Sequence, residues 1–547
     1  MSADQTGGGQ RQVRRRVMIA TACTTVVAHA FLLANDRTFW DGALYAALNA
    51  DRDWAGTVLP FRDAGYPLQG LVNWAIGTIG GGSVVLAYRL VAISSLAISA
   101  VVVSDLCQRV ANMAPRRAFF VGALFGCNPV FYMSVSAVNV LALFNLASFA
   151  LGTWLLLTHP LQQRTPRGRG LLAIVLLFGG FTWRSFLVMF GPVMLLRTHA
   201  RLGGEWRGLG AALRAVWADA WMYALPFVYV LLNGILFRQR GHYAKDNTFK
   251  GPRRVIGSAV RYGFEVLPAQ LAEVALSPWY ASAGALLIGV VVAAAAFAIA
   301  RGLRQPEAQN VPRKRVAVFA VIAGTAAVFP YAMVGKVPAV EWSPFPMVAD
   351  WTGRWLLLTP LPFALGAVVI VAWLARGVRR SAALEAALAA LLLACNVAAL
   401  NHRYRQWLLW GATDAAIVSE LARHAPFERS PSARICFVLR SARDGDDVHR
   451  GYELAALFQE AWGGRVRDWF PADWDDGYSS VRQKQTRAHY DVFAGELPPE
   501  GRCTWTITAT EHASQRSDIE LLQSLAENRE LAEVTVAVFP ARDRAER

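Results

Sequence analysis

The chain has 547 residues, of which 54% are hydrophobic and only 17% charged, an apolar balance that excludes an ordinary soluble protein of this length. Its net charge of +16 is spread over many short segments between apolar runs, a distribution that marks membrane topology and argues against a nucleic-acid partner. Among the six cysteines no metal-ligand spacing occurs. Cys23, Cys107, Cys127 and Cys395 lie in or beside apolar runs, and for Cys436 and Cys503 the spacing leaves both a disulfide and two free thiols open.

In chain order, a polar and basic start ending in Arg14, Arg15 and Arg16 is followed by a first apolar span over 17–34, with no small-residue cleavage site. It reads as an uncleaved span with a cytoplasmic N-terminus; a signal peptide is the competing reading. Residues 35–66 then form a first outer loop, and the Gly-rich apolar segment 67–80 is too short to cross, so it is expected to be re-entrant or interfacial. The GGG at 80–82 reads as a turn.

Spans are expected at 84–103, 118–134, 138–157, 170–183, 186–197, 217–236, 281–300 and 316–334, then from Arg354, and finally at 381–400. That gives about eleven. Arginine marks every short loop assigned to the cytoplasm, and the long basic loop 237–280 is exempt because the positive-inside rule weakens with loop length. The many tryptophans fit interfacial belts.

From about residue 402 the composition turns polar, with ARICFVLRS and CTWTITAT as strands and GYELAALFQEAW and SDIELLQSLAEN as helices. The expectation is a mainly α, polytopic helical membrane protein: a transmembrane domain over 1–401 and an extracytoplasmic α/β domain over 402–547.

On this topology the conspicuous polar residues fall on one side. Asp41, Arg62 and Asp63 lie in the first outer loop, Asn139 and Arg184 at hairpin tips, His242 and Lys245 in the long loop, and Lys336, Asp350 and Arg354 around the last long one. Ionisable groups gathered at a membrane boundary point to a polar cavity, with solvated loops as the bland alternative. Asp41 also reads as a helix N-cap, Arg62 and Asp63 as an ion pair, and Arg354 as an interfacial anchor. His242 and Tyr243 read as plain loop residues, and Asp51 and Asp53 as a solvated helix face. No phosphate-cradling Gly-rich loop followed by Lys-Ser/Thr is present, which disfavours ATP-driven transport.

Four stretches, in order, carry a resemblance: DGALYAALNADRDWAGTVLPFRDAGYPLQGLVNW, NPVFYMSVSAVNVLALFNLASFALGTWLL, GLLAIVLLFGGFTWRSFLVMFGPVMLL and TGRWLLLTPLPFALGA. Over residues 17–375 the chain resembles the GT-C superfamily of polyprenyl-phosphate-dependent membrane glycosyltransferases, of the protein mannosyltransferase and aminoarabinose transferase type. Three positions depart from that pattern: Gly42 where Glu is frequent, Asn139 where Asp is frequent, and Arg184 where Lys is usual.

The resemblance implies inverting transfer of a sugar from a polyprenyl phosphate to a glycan, lipid or protein acceptor of the cell envelope, at the extracytoplasmic face. Asp41 would act as base with Asp63 as second acid or positioning group, and Arg62, Arg184, Lys245, Lys336, Arg354, Asn139 and Tyr45 would bind substrate and lipid phosphate. A divalent cation, Mg or Mn, is the one cofactor the resemblance brings into question, and the two missing carboxylates weaken its site. Two other readings stay open: a transporter or flippase for a lipid-linked saccharide, and a non-catalytic relative that scaffolds envelope assembly.

Overall fold

A computed structural model describes residues 3–158, 167–202, 208–239, 248–303, 313–341, 347–348, 351–376, 381–427, 433–440, 451–470, 489–494, 503–512, 518, 520, 523 and 533–540. The chain is mainly helical, with a small sheet near its C-terminus.

The helices are α1 (Ala3–Ala28), α2 (Ala30–Leu33), α3 (Asp41–Ala50), α4 (Trp54–Asp63), α5 (Pro67–Gly80), α6 (Val84–Arg109), α7 (Pro115–Gly126) and α8 (Ala137–Leu157). They continue with α9 (Arg167–Phe181), α10 (Ser185–Arg201), α11 (Leu209–Ala218), α12 (Ala220–Leu236), α13 (Pro252–Arg261), α14 (Leu267–Tyr280), α15 (Ala283–Gly302) and α16 (Arg313–Met333). The last three are α17 (Pro360–Leu374), α18 (Ser381–Leu421) and α19 (Gly451–Trp462).

Five helical runs among the described residues are long and apolar enough to cross a membrane, rising to seven if each of two bent pairs is one span. Eleven were expected, and the difference has local causes. The apolar stretch 17–34 is divided at His29, whose ring bonds the Gly126 carbonyl and the Tyr404 hydroxyl. The stretches at 118–134 and 217–236 are bent pairs, α7 with the 3₁₀ turn Pro129–Val135 and α11 with α12, at 43° and 61°. The stretches at 170–183 and after Arg354 form the shorter helices α9 and α17.

The segment 67–80 is helical and folds back on α6. Tyr88 donates to the Asn73 side chain, fifteen residues earlier and about 22 Å away on a straight helix. Only a reversal at Gly81–Ser83 brings them together, and Gly81 sits at φ +51, in the left-handed region that favours glycine.

Close packing of small residues joins α15 to α18: a Cβ on Gly289 would lie 2.7 Å from the Ala394 carbonyl. At 41 residues α18 is about 60 Å long, roughly twice a hydrocarbon core. It therefore runs through the expected domain boundary at 402. The polar group that signalled a boundary is absorbed inside the fold, with Asn401 donating to the Ala28 carbonyl at 3.0 Å and Arg403 pairing with Glu273.

Beyond α18 lies a four-stranded sheet in the order His489–Ala494, Arg434–Arg440, Trp505–His512, Glu533–Pro540; the first three strands are parallel and the last is antiparallel. Helix α19 lies between the first two of these strands in sequence, as a parallel pair requires. It packs Leu454, Leu457 and Phe458 into a core with Phe427, Trp462 and Trp469. Cys436 and Cys503 form a disulfide inside this sheet region, with Cα atoms 5.8 Å apart. The expected helix SDIELLQSLAEN lies largely outside the described residues.

Asp518 ties this region to the start of α15, accepting from the Gly284 N–H at 2.5 Å and from Arg405. Burial acts to raise its carboxyl, but the Gly284 N–H, the Arg405 guanidinium and the Ser282 hydroxyl outweigh it and hold Asp518 below the usual carboxylate value. A depressed folded value stabilises above the unfolded one, near 3.9, and that contribution is lost as pH falls through the folded value. Hydrogen exchange is thus expected to report loosening of the C-terminal region only below about pH 4, and Asp518→Asn should flatten that part of the profile; a loosening centred near pH 6 would rule Asp518 out.

Candidate functional site

Asp41 opens α3, and the backbone before it is strained: Trp40 has φ +54, a conformation that costs a non-glycine residue free energy and is found where surrounding structure over-determines it. Three contacts do so. The Trp40 N–H donates to the Glu453 carboxylate at 2.6 Å, Thr38 donates to the Val135 carbonyl at 3.0 Å, and Thr38 Oγ1 accepts from the Ala137 N–H at 2.9 Å. Arg89, wholly buried in α6, completes the hold by donating to the carbonyls of Ser134 and Arg37.

The result presses the start of α3 onto the start of α8. Asp41 is half-buried, and its carboxylate makes no hydrogen bond or ion pair with any described residue. On α8, Asn139 is 1% exposed, and neither its amide oxygen nor its nitrogen has a described partner. The Ser136 hydroxyl is likewise unpaired. Ser136 and Asn139 thus bring unpaired hydrogen-bonding groups to the start of α8, the end that meets the start of α3.

Gly42 has a steric reason to be glycine. A Cβ there would lie 2.5 Å from Thr38 Oγ1 and 2.6 Å from the Ala137 backbone nitrogen, so no side chain fits between α3 and α8. Gly42→Ala is expected to cost about 1–3 kcal/mol by overpacking. A thermal melt unchanged from the parent protein would show that the helices part freely there.

A second group gathers around Tyr66 and Tyr331. Arg184 lies with its guanidinium 5.3 Å from the Tyr66 ring centre, and its Nη2 is 2.7 Å from where a Cβ on Gly65 would sit, at φ +81. Trp183 Nε1 donates to the Tyr331 hydroxyl at 3.1 Å, and Ser185 Oγ is 3.3 Å from the same oxygen. Tyr331 is also within electrostatic reach of Tyr66 and Arg354. Arg62 and Asp63 form an ion pair at 3.1 Å, three residues before Tyr66.

The two groups are neighbours. Tyr45, one turn after Asp41, packs on Phe61 at 4.9 Å between ring centres, and Phe61 precedes the Arg62–Asp63 pair. On the other side, Tyr132 leads along the chain to Ser136 and places its hydroxyl 2.5 Å from where a Cβ on Gly353 would be, next to Arg354. Lys336 meets the second group through its backbone, donating to the Tyr331 carbonyl and accepting from the Tyr262 hydroxyl. Lys245, His242, Tyr243 and Asp350 lie outside the described residues.

Asp51 and Asp53 correct the sequence reading of a solvated face. Asp51 accepts from Gln459 Nε2 at 2.7 Å and from the Val466 N–H at 2.8 Å, while Asp53 caps α4 through the Gly56 N–H and pairs with Arg467. Arg37 adds a two-bond pair with Glu460, at 2.9 and 2.5 Å. The C-terminal region therefore clamps the loop that carries Asp41. Between them lies a cavity of about 620 Å³, reached by Arg37, Trp40, Trp410, Asp414 and Glu453. Neither Asp41 nor Asp63 lines it.

No three His, Cys, Asp or Glu side chains come together as metal ligands among the described residues. Asp41 stands with Gly42, Ser136 and Asn139, one carboxylate where a hard divalent cation wants several charged oxygens, so these residues do not fit an Mg or Mn site. Sequence reasoning missed Tyr66, Tyr331, Thr38 and Arg89. For Arg89 a signal existed, since a charged residue inside the apolar run VVLAYRLVAIS needs a buried partner.

No family model, curated protein or solved structure matches the chain.

Proposed function

We propose that the chain is a GT-C-like membrane glycosyltransferase that moves a sugar from a polyprenyl phosphate to a cell-envelope acceptor, with Asp41 as general base. The observation that carries this reading is the unpaired Asp41 carboxylate, held on a strained backbone beside the unsatisfied side chains of Asn139 and Ser136, with Arg184 and Arg354 drawn to the adjoining Tyr66–Tyr331 group. Asn139 and Ser136 supply hydrogen-bonding capacity for sugar hydroxyls.

In the transfer, Asp41 takes the proton of an acceptor hydroxyl as its oxygen bonds to the anomeric carbon from the face opposite the phosphate. The bond from that carbon to the phosphate oxygen breaks, and the phosphate leaves with the electron pair. A single displacement inverts the anomeric configuration. Arg184 and Arg354 offset the charge that develops on the leaving phosphate. The arginine-marked loops support an N-terminus in the cytoplasm and a site on the opposite face.

The test is reconstitution into liposomes with a radiolabelled polyprenyl-phosphate sugar and a mixed envelope-glycan acceptor. Label is expected in the acceptor fraction, with inverted configuration. Lipid-linked sugar crossing the bilayer uncleaved would replace this reading with a transporter, and neither outcome would leave a scaffold.

A further inference from the structure

Helix α13 carries two faces that lie apart from Asp41, Arg184 and Arg354. Ile256, Val260 and, after the helix, Phe264 recur at intervals of four, and they are 64%, 51% and 82% exposed. A row of large apolar side chains left open on one protein is a surface for lipid. Arg253, Arg254 and Arg261, together with Lys250 just before the helix, line a separate cavity of about 600 Å³ whose lining also includes Val334, Gly335 and Val337. No described residue lining it is acidic. Arg261 pairs with Glu265, whereas Lys250, Arg253 and Arg254 pair with no described residue.

The depth of this cavity follows from α16. That helix is one of the five apolar runs, and it ends at Met333, so Val334, Gly335 and Val337 lie where a spanning helix leaves the hydrocarbon. Lys250 is fixed at the same level: its N–H donates to the Met333 carbonyl at 3.1 Å, and its Cγ lies 3.3 Å from where a Cβ on Gly335 would be. An apolar stripe at the level of acyl chains and a set of cations, three of them with no described carboxylate partner, at the level of phosphates match one kind of partner.

We infer that α13 is an interfacial helix whose cavity, lined by Lys250, Arg253, Arg254 and Arg261, binds the phosphate of an anionic membrane phospholipid. This site is independent of the sugar-transfer reading, because Asp41, Arg184 and Arg354 do not line it. Its volume lies within the ~300–1,000 Å³ usual for small-molecule sites, and its charge selects an anionic headgroup over a zwitterionic one.

The experiment places the full chain in nanodiscs of phosphatidylcholine with increasing phosphatidylglycerol and reads retained lipid by native mass spectrometry. Wild type is expected to retain phosphatidylglycerol in preference to phosphatidylcholine. The triple change Lys250→Gln, Arg253→Gln, Arg254→Gln should weaken that retention about fivefold per cation, on the order of 100-fold in all, while Arg253→Lys with Arg254→Lys keeps it. Should the triple variant fail to fold, wild type decides alone: retention that falls with added salt supports the site, and retention indifferent to salt overturns it. Equal retention of both phospholipids, or an unchanged triple variant, overturns it too. Displacement by millimolar inorganic phosphate would make it a soluble-phosphate site, and displacement of phosphatidylglycerol by equimolar polyprenyl phosphate would make it a donor site; either result replaces the proposal.

Discussion

Arg403→Met is expected to destabilise the folded protein by about 3–5 kcal/mol, enough to threaten the fold of a domain of ordinary stability. Arg403 and Glu273 pair at 3.0 Å with side chains only 4% and 5% exposed. Removing the arginine leaves a carboxylate buried without its counter-ion, and that desolvation cost dominates the loss. The double change Arg403→Met with Glu273→Leu removes both charges and should recover most of the stability, because replacing a buried pair by apolar groups is often neutral. Thermal melts of the detergent-solubilised protein check this; a double variant as weak as the single one would show that the pair is not coupled. The effect should reach the site as well. The Arg403 guanidinium lies 4.9 Å from the Tyr132 ring centre, and Tyr132 sets its hydroxyl against Gly353, beside Arg354.

What was legible in the sequence was local. Uninterrupted apolar runs located α6, α8, α15, α16 and the first half of α18, because a run near 20 residues long has few alternatives to a helix. The strands at Arg434–Arg440 and Trp505–His512 and the helix α19 were legible from β-branched residues and from apolar periodicity. Contacts between distant segments were not legible. Asp51 and Asp53 look solvated when only their neighbours are considered, and the partners that bury them, Gln459, Val466 and Arg467, lie some four hundred positions away.

The same limit applied to α18, where Asn401, His402, Arg403 and Arg405 looked like the start of a polar domain. Asn401, Arg403 and Arg405 instead find partners at Ala28, Glu273 and Asp518, while the helix runs on past them. In the candidate site, the sequence singled out Asp41, Asn139, Arg184 and Arg354 but gave no account of Gly42. Its reason is steric and needs the α3–α8 contact to be seen. The sequence ranked Asp41 above Asp63 as the base only through the resemblance, with an Arg62 ion pair as the competing reading for Asp63. The structure separates them, leaving Asp41 without a described partner and pairing Asp63 with Arg62.

That separation sets the largest expected effect on activity. Under the glycosyltransferase reading, Asp41→Asn should lower sugar transfer by about 10²–10⁴-fold, the usual worth of a positioned general base. Donor KM should change little, since Arg184 and Arg354 are untouched. Asparagine keeps the size of the side chain, and Asp41 has no described pair to break, so its folding cost should stay near the roughly 0.3–1 kcal/mol of a charge lost from a helix N-terminus. Asp63→Asn is the matched control: its carboxylate already faces Arg62, so it should cost far less in kcat than Asp41→Asn. Steady-state kinetics with both variants, alongside melts to verify folding, check the assignment. If Asp63→Asn abolished transfer while Asp41→Asn did not, the base would be Asp63, and Asp41 would be reduced to a charge favouring the start of α3. The strained Trp40 backbone weighs against that outcome, because starting a helix does not require it.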